Sequence, residues 1–375
     1  MKILILLRSL SVGGAERRAS ILADGLQQAG HELTLAVFYG GGELEPQYPN
    51  SGIRRVNLAK SGRWDMAGFL LRFLKLMREV QPDVVYSFLS GPNLLAACTQ
   101  LMFHRTRLVW AVCASRMDWA AYEGVMRWAH RAEILMSRIP QAIISNSCSG
   151  RADAVAAGFP PERIHVVHNG FETERFRPDP NGRVRMRAAW GISEGIPVFG
   201  LVARLDPMKG HADFLHAAAI CLNQRPEARF VLVGSGPSTW RERIDAQIQT
   251  LGLSASVIRI EESPDMPSVY NALDVLVSAS IFGEGLSNAV GEAMASGTPC
   301  VVTDVGDSAF LVGDYGRVVP PGDPGALAAS MLSLLAQAEV GAVDRQGMRS
   351  RIVEQFSVKT MMEETLAVMR TVREA

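Results

Sequence analysis

The strongest constraint on this chain is a twofold series of short, nearly charge-free apolar runs, each separated from the next by a helix-length segment. The first run, residues 2–7, carries five consecutive aliphatic residues and is followed at once by Arg8 and a Gly-rich turn. A run apolar at every position needs cover on both faces, which a parallel sheet between two helix layers supplies. The first series continues with a helix over about 15–29, stopped by Gly30, and strands at 31–39, 54–58, 83–89, 108–112 and 142–146. A further helix is expected over 66–80. The second series opens at 197–203. It runs through strands at 229–234, 257–260, 275–278, 298–303 and 317–319, then helices over 323–337 and 359–372. Strands alternating with helices imply doubly wound parallel sheets. Between the series, the polar Pro/Gly-rich stretch 175–182 reads as a linker. This divides the 375 residues into a domain at 1–178, a second at 179–356 and a last helical segment at 357–375. Such a length is comfortable for two cores.

The same features exclude several classes. Residues 84–103 are free of charge for twenty positions, yet Ser90-Gly91-Pro92-Asn93 interrupts them, so they read as strand, loop and helix, not a membrane span. Five aliphatic residues at the N-terminus are too few for a secretory leader. The five cysteines show no metal or redox spacing and are expected as small buried residues in a reducing compartment. A cytoplasmic protein is expected, or one held at the inner face of the cytoplasmic membrane. Net charge is zero, but residues 1–178 hold 21 Lys+Arg against 15 Asp+Glu, and residues 179–375 hold 17 against 23. The excess of six cations suits an anionic partner such as a phospholipid surface. No tight basic run points to nucleic acid. Apolar stripes at 64–80 and 127–138 read mainly as core faces, with peripheral membrane docking as the alternative.

Three constellations carry chemistry. Gly13-Gly14 lies between the first strand and a helix, where backbone can come close to an anion and the helix offers unpaired N–H groups. The spacing is not that of a dinucleotide fingerprint, and no acidic residue ends the second strand, which speaks against a nicotinamide oxidoreductase. Arg204 and Lys209 stand five apart beyond the first strand of the second series, a fork of donors and a point charge suited to a diphosphate. Glu284 and Glu292 lie eight apart and bracket Gly285-Leu286-Ser287-Asn288, a turn that becomes a helix. One carboxylate can accept bonds from sugar hydroxyls and the other from a ribose diol, with N–H groups between them facing phosphate.

Together these residues resemble the family-four retaining glycosyltransferases of the GT-B fold, also called group 1. The likeness rests on the E-x7-E element, the R-x4-K pair and the Gly-Gly loop. His168-Asn169-Gly170-Phe171-Glu172 through Pro178 is similar to the family's domain junction, and Val233-Gly234-Ser235-Gly236-Pro237 to its G-x-G-P turn. Asp304 to Ser308 and Val319 to Pro324 are similar to its closing segments. The resemblance implies two facing Rossmann-like domains with a cleft between them and a C-terminal helix crossing back to the first. It implies Arg204, Lys209 and Glu284 as catalytic residues, with Gly13, Gly14, Asn169, Gly234, Glu262, Gly285, Leu286, Ser287, Asn288 and Glu292 on the substrates. The donor would be a nucleotide sugar, UDP-linked by preference, and the acceptor a glycan or lipid-linked oligosaccharide. No cofactor and no metal are expected, and no D-x-D is present to hold a divalent ion beside the phosphates. Where many relatives carry a histidine after a middle strand of the first domain, this chain reads Ala114-Ser115-Arg116, which makes Arg116 a substitute on the substrate side. Glu261 stands where relatives often have glycine in the nucleobase turn. A sugar-nucleotide epimerase or hydrolase on the same fold, and a non-catalytic nucleotide-binding protein, are the alternatives.

Overall fold

The computed structural model describes residues 1–11, 13–42, 52–62, 65–112 and 124–374, apart from the side chains of Met66, Val125 and Met126. These fall into two compact units, Met1–Gly170 with Val358–Ala375, and Phe171–Ser357.

The first unit is built on seven parallel strands: β1 (Lys2–Leu7), β2 (Glu32–Val37), β3 (Arg54–Asn57), β4 (Val84–Phe88), β5 (Arg107–Val112), β6 (Ala142–Ser145) and β7 (Ile164–Val166). They are ordered β3-β2-β1-β4-β5-β6-β7. The period of two along β1 sorts its side chains into two layers. Ile3, Ile5 and Leu7 pack with Leu22 and Leu26 of the helix Gly14–Gln28 and with Leu366 and Met369 of the helix Val358–Glu374. Leu4 and Leu6 face Phe69, Phe73 and Met77 of the helix Met66–Val80. That helix therefore spends its stripe on the core. The stripe at 127–138 divides: Ile134 packs against the same layer, whereas Trp128 and Leu135 of the helix Gly124–Met136 are 70% and 82% exposed.

The second unit holds six parallel strands: β8 (Val198–Val202), β9 (Arg229–Val233), β10 (Val257–Ile260), β11 (Val275–Ser278), β12 (Cys300–Thr303) and β13 (Arg317–Val319). Their order is β10-β9-β8-β11-β12-β13. Phe199 and Leu201 pack against Phe214 and Met331 on one face, and Leu276 against Tyr270, Val290 and Met294 on the other.

Two expectations need correction. Residues 171–182 do not link two bodies; they are part of the second unit. Phe171 and Phe176 are buried in its core, Arg349 donates to the carbonyls of Phe176 and Thr173 (2.8 and 2.9 Å), and Asn271 donates to that of Arg177 at 3.0 Å. The stretch looked like a linker because it starts the polar helix Pro180–Ala189, with proline in its first turn. Arg187 of that helix is buried and donates to Asp274 at 2.7 Å. The cysteines also divide: Cys221 and Cys300 are buried as expected, but Cys98 and Cys148 are exposed, each on a helix rather than a strand. Cys113 lies outside the described residues. Among the described residues no helix is long and apolar enough to cross a membrane.

Candidate active site

Strand order in the second sheet reverses beside β8, with β9 and β10 on one side and β11 to β13 on the other. The chain leaves β8 and β11 in opposite directions, and such a switch point opens a crevice at the carboxyl edge where ligands of α/β sheets bind. The R-x4-K pair follows β8 and the E-x7-E element follows β11.

Backbone holds the two loops together. Ile281 donates its N–H to the Met208 carbonyl at 2.7 Å. Gly210 adopts φ +64°, and a Cβ there would stand 1.8 Å from the Ala279 carbonyl oxygen, so only glycine lets the loops approach this closely. Asp206 caps the single turn Pro207–Lys209 by accepting from the Met208 N–H at 3.1 Å, while its other oxygen pairs with Arg204 at 2.8 Å. Lys209 Nζ donates to Glu284 Oε2 at 2.5 Å, and Ser280 Oγ donates to the same oxygen at 2.9 Å. A buried carboxylate thus fixes a cation brought from the neighbouring strand's loop, in a charge-assisted contact.

The remaining predicted residues of this unit take several stations. Gly285 accepts from the Asp307 N–H at 2.8 Å. Gly306 makes that possible, since a Cβ there would meet the Glu284 carbonyl oxygen at 2.1 Å. The Leu286 side chain lies in the core. Ser287 is buried and precedes the helix Asn288–Ala295, with no side-chain cap bond. Glu292 is 5% exposed and accepts from the Tyr270 hydroxyl at 2.7 Å. Arg204 is largely exposed and bonds Asp206, not the Lys209–Glu284 pair. Gly234, at φ +149°, sits 1.9 Å (as a built Cβ) from the Ala203 carbonyl oxygen, pinning the G-x-G-P turn to the end of β8. Glu262 is exposed beyond β10, beside Glu261, which pairs with Arg241 at 2.9 Å.

In the first unit, Gly13 is extended and precedes the helix Gly14–Gln28, whose first residue Gly14 is exposed. Glu16 folds back so that a Cβ on Gly13 would meet its carboxylate at 2.2 Å, and burial pushes the Glu16 carboxyl up. Asn169 is buried. Arg116 lies outside the described residues.

Four residues escaped the sequence reading: Asp206, Ser280, Tyr270 and His211. The Asp206-Pro207 pair is a legible cap signal, an acceptor followed by proline in a first turn. Ser280 and Tyr270 carry no such signal. His211 is buried beside Lys209, and burial first, then that neighbouring charge, lowers its imidazole to about 4.

Residues 12–175 match the family model of family-four glycosyltransferases, and residues 196–337 that of group 1 glycosyl transferases. The 2-deoxystreptamine N-acetyl-D-glucosaminyltransferase of Streptomyces fradiae is 31% identical over 302 residues, 73% of this chain and 68% of that one. This chain belongs to the family-four, group-1 glycosyltransferases. Some other relatives align over shorter stretches. The D-inositol 3-phosphate glycosyltransferase of Nocardia farcinica is 36% identical over 160 residues, 41% of this chain and 35% of that one. Over several such relatives the match spans less than half of their length. Among solved structures, Anabaena HepE in complex with UDP-glucose superposes with a TM-score of 0.85 at 22% identity, covering 100% of both chains. This family-four member therefore has the GT-B fold, with both units Rossmann-like.

Proposed function

We propose that this family-four member transfers a hexosyl or N-acetylhexosaminyl group from a nucleotide sugar, UDP-linked by preference, to a hydroxyl of a glycan or lipid-linked acceptor in cell-envelope or exopolysaccharide synthesis. The reading assigns the donor to the second unit and the acceptor to the first. The observation that carries it is the Lys209–Glu284 contact at the switch point of the second sheet. There a fixed ammonium group and the exposed Arg204 fork stand where a diphosphate would lie. As the bond from the anomeric carbon to the diphosphate breaks, negative charge grows on the departing phosphate oxygen. Lys209 and Arg204 stabilise it there, which is the chief catalytic demand when the leaving group is already good. Two cations also neutralise the diphosphate, so the reaction is expected to run without a divalent ion. Glu284 holds Lys209 in place and meets the donor sugar's hydroxyls, and Glu292 with Tyr270 meets the ribose.

Retention follows if the acceptor hydroxyl attacks on the face that the diphosphate leaves. Assigning the product anomer by NMR tests this, and an inverted product removes it.

The donor assignment is tested by thermal shift against UDP, GDP, ADP and their sugars, with chelator present. A ligand at a hundred times its dissociation constant stabilises the fold by about 2.7 kcal/mol. A shift with one nucleotide, lost in Arg204→Ala/Lys209→Ala, is expected; a shift that survives in the double variant overturns the assignment. Consumption of the sugar nucleotide in the absence of any acceptor would favour a hydrolase or epimerase instead.

The helix Gly124–Met136 supports peripheral docking on an anionic lipid surface. Trp128 and Leu135, seven residues apart, are exposed, as are Arg127, Arg131 and Arg138 beside them, and the Arg131 guanidinium lies 5.6 Å from the Trp128 ring. Apolar insertion flanked by cations is the mark of an interfacial helix. Flotation with liposomes containing phosphatidylglycerol at low salt is expected to carry the protein up, and Trp128→Ala/Leu135→Ser to leave it behind. No flotation of the unaltered protein removes this part.

A further inference from the structure

The first sheet has a switch point of its own between β1 and β4, with β2 and β3 to one side and β5 to β7 to the other. The turns that leave β1 and β4 are therefore the two lips of its crevice. The second lip is built around a leucine in a conformation that leucine avoids. Leu89 stands at φ 71° and ψ 164°. Gln81, also at positive φ, ends a helix in the ordinary left-handed region, whereas the combination at Leu89 belongs almost to glycine alone.

A buried carboxylate holds that turn. Glu133, 5% exposed on the helix Gly124–Met136, accepts from the Ser90 hydroxyl at 2.6 Å with one oxygen and from the Asn93 amide at 2.7 Å with the other. Ser90 and Asn93 lie in the first turn of the helix Ser90–Thr99, directly after Leu89. Ser87 of β4 donates to the Asn93 amide oxygen at 2.7 Å, and the Asn93 N–H donates to the Leu89 carbonyl at 3.0 Å. The Leu89 N–H and the Asn93 amide both reach the Ala111 carbonyl on β5, each at 3.4 Å. Among the described residues no lysine or arginine pairs with Glu133, and the His130 imidazole stands 3.9 Å away. Apolar packing would join the two helices without burying a carboxylate, and glycine at 89 would take this backbone without strain. Both unfavourable choices meet at one lip of a ligand crevice, and strained residues of this kind collect where function needs a fixed shape.

We infer that Glu133 is a positioning residue for the acceptor. Through Ser90 and Asn93 it holds the Leu89 turn in the shape that completes one wall of the first unit's crevice. The carboxylate acts from behind the turn, whose Gly91 is exposed. The inference rests on the reading that the first unit takes the acceptor, and adds the residue that shapes its wall.

The test measures transfer from whichever of UDP-glucose, UDP-N-acetylglucosamine and GDP-mannose gives the largest thermal shift. The acceptor probes are octyl glucoside, octyl N-acetylglucosaminide and N-acetylglucosamine linked through a diphosphate to a phenoxyundecyl chain. Glu133→Gln keeps the shape but offers one acceptor oxygen to two donors. Its acceptor KM is expected to rise on the order of 10-fold, the worth of one net hydrogen bond, with kcat and nucleotide affinity within about 2-fold. Adding Leu89→Gly removes the strain that the carboxylate opposes, and is expected to return KM to within about 3-fold of the unaltered protein. A residue that merely joined two helices would show neither the split nor the rescue. Exchange of the Leu89 and Asn93 amides, read by mass spectrometry, is expected to quicken about 10-fold in Glu133→Gln. Unchanged exchange there overturns the inference whatever the probes show. So does an unchanged KM, a loss of nucleotide affinity as large as the rise in KM, or a double variant no better than Glu133→Gln. If Glu133→Gln fails to melt cooperatively, Ser90→Ala, which removes one bond to the same carboxylate, takes its place with the same expectations. Transfer with an unchanged KM in Glu133→Gln sinks only the role of Glu133, whereas no transfer to any probe by the unaltered protein removes the acceptor reading and this inference with it.

Discussion

The two units place the same topological slot, the turn after the first strand of each sheet, in different chemical hands. After β1 the chain runs through Gly13 into a helix whose cap carries no side-chain bond, and the Glu16 carboxyl that folds back on it is pushed up by burial. After β8 it runs through Arg204, Asp206 and Lys209, with side chains bonded to one another, to a carboxylate from the neighbouring loop and to backbone. A parallel sheet fixes where a ligand can lie but not how it is held. One turn offers bare backbone and the other offers pre-aimed charge.

The comparison is broken most severely at glycine. Gly210→Ala forces a Cβ to within 1.8 Å of a backbone oxygen at φ +64°, and unfolding in urea is expected to show a loss of at least about 4 kcal/mol. A loss below about 1 kcal/mol would mean that the loops after β8 and β11 are not locked together as described. Next comes acid. His211 titrates near 4 in the folded protein and near 6.5 when unfolded, so unfolding takes up a proton between those values. Its contribution is complete above pH 6.5 and is lost as pH falls through that window. It amounts to about 3 kcal/mol by pH 4 and is level below. Stability measured against pH in His211→Asn should lack that component; identical slopes would show that the ring does not titrate as its burial requires.

Binding comes third. Lys209→Ala removes the ammonium that Glu284 holds. Nucleotide affinity is expected to drop about 100-fold, or about 2.7 kcal/mol. A change under about 3-fold would place the diphosphate elsewhere. The smallest effect belongs to the first turn. Gly13 is extended at φ −163°, a conformation open to any residue, and a Cβ meets only the movable Glu16 carboxylate. Gly13→Ala should therefore cost less than about 1 kcal/mol of stability. If it costs as much as Gly210→Ala, the contrast between the two turns is wrong.

How much of this was legible follows from distance along the chain. The strand runs stand out because each is apolar throughout, and β10, β11 and β13 fall where pattern places them. Arg204 with Lys209, and Glu284 with Glu292, are local spacings and can be seen without a fold. The bond between Lys209 and Glu284 joins residues 75 apart in the loops after neighbouring strands, and no spacing reveals it. The same holds for Tyr270 on Glu292, which is 22 residues away. The helix Pro180–Ala189 was hidden for the opposite reason. Its composition is that of a linker, and only the acceptors supplied by Asp274, Ala272 and Ile196 explain how Arg187 can be buried. His211 gives no signal of its own, since one histidine at a helix start is ordinary until its burial is known.

The first unit is made from both ends of this sequence, with the whole second unit inserted between them. During synthesis the ribosome therefore delivers a complete second sheet before it delivers the helix Val358–Glu374. Until then, the apolar side chains of Ile3, Ile5, Leu22 and Leu26 lack the Met361, Leu366 and Met369 that cover them. A nascent chain of this design leaves one face of its first sheet waiting on a helix that follows the whole second unit, and keeps that face open to chaperones and proteases for as long as the second unit takes to translate.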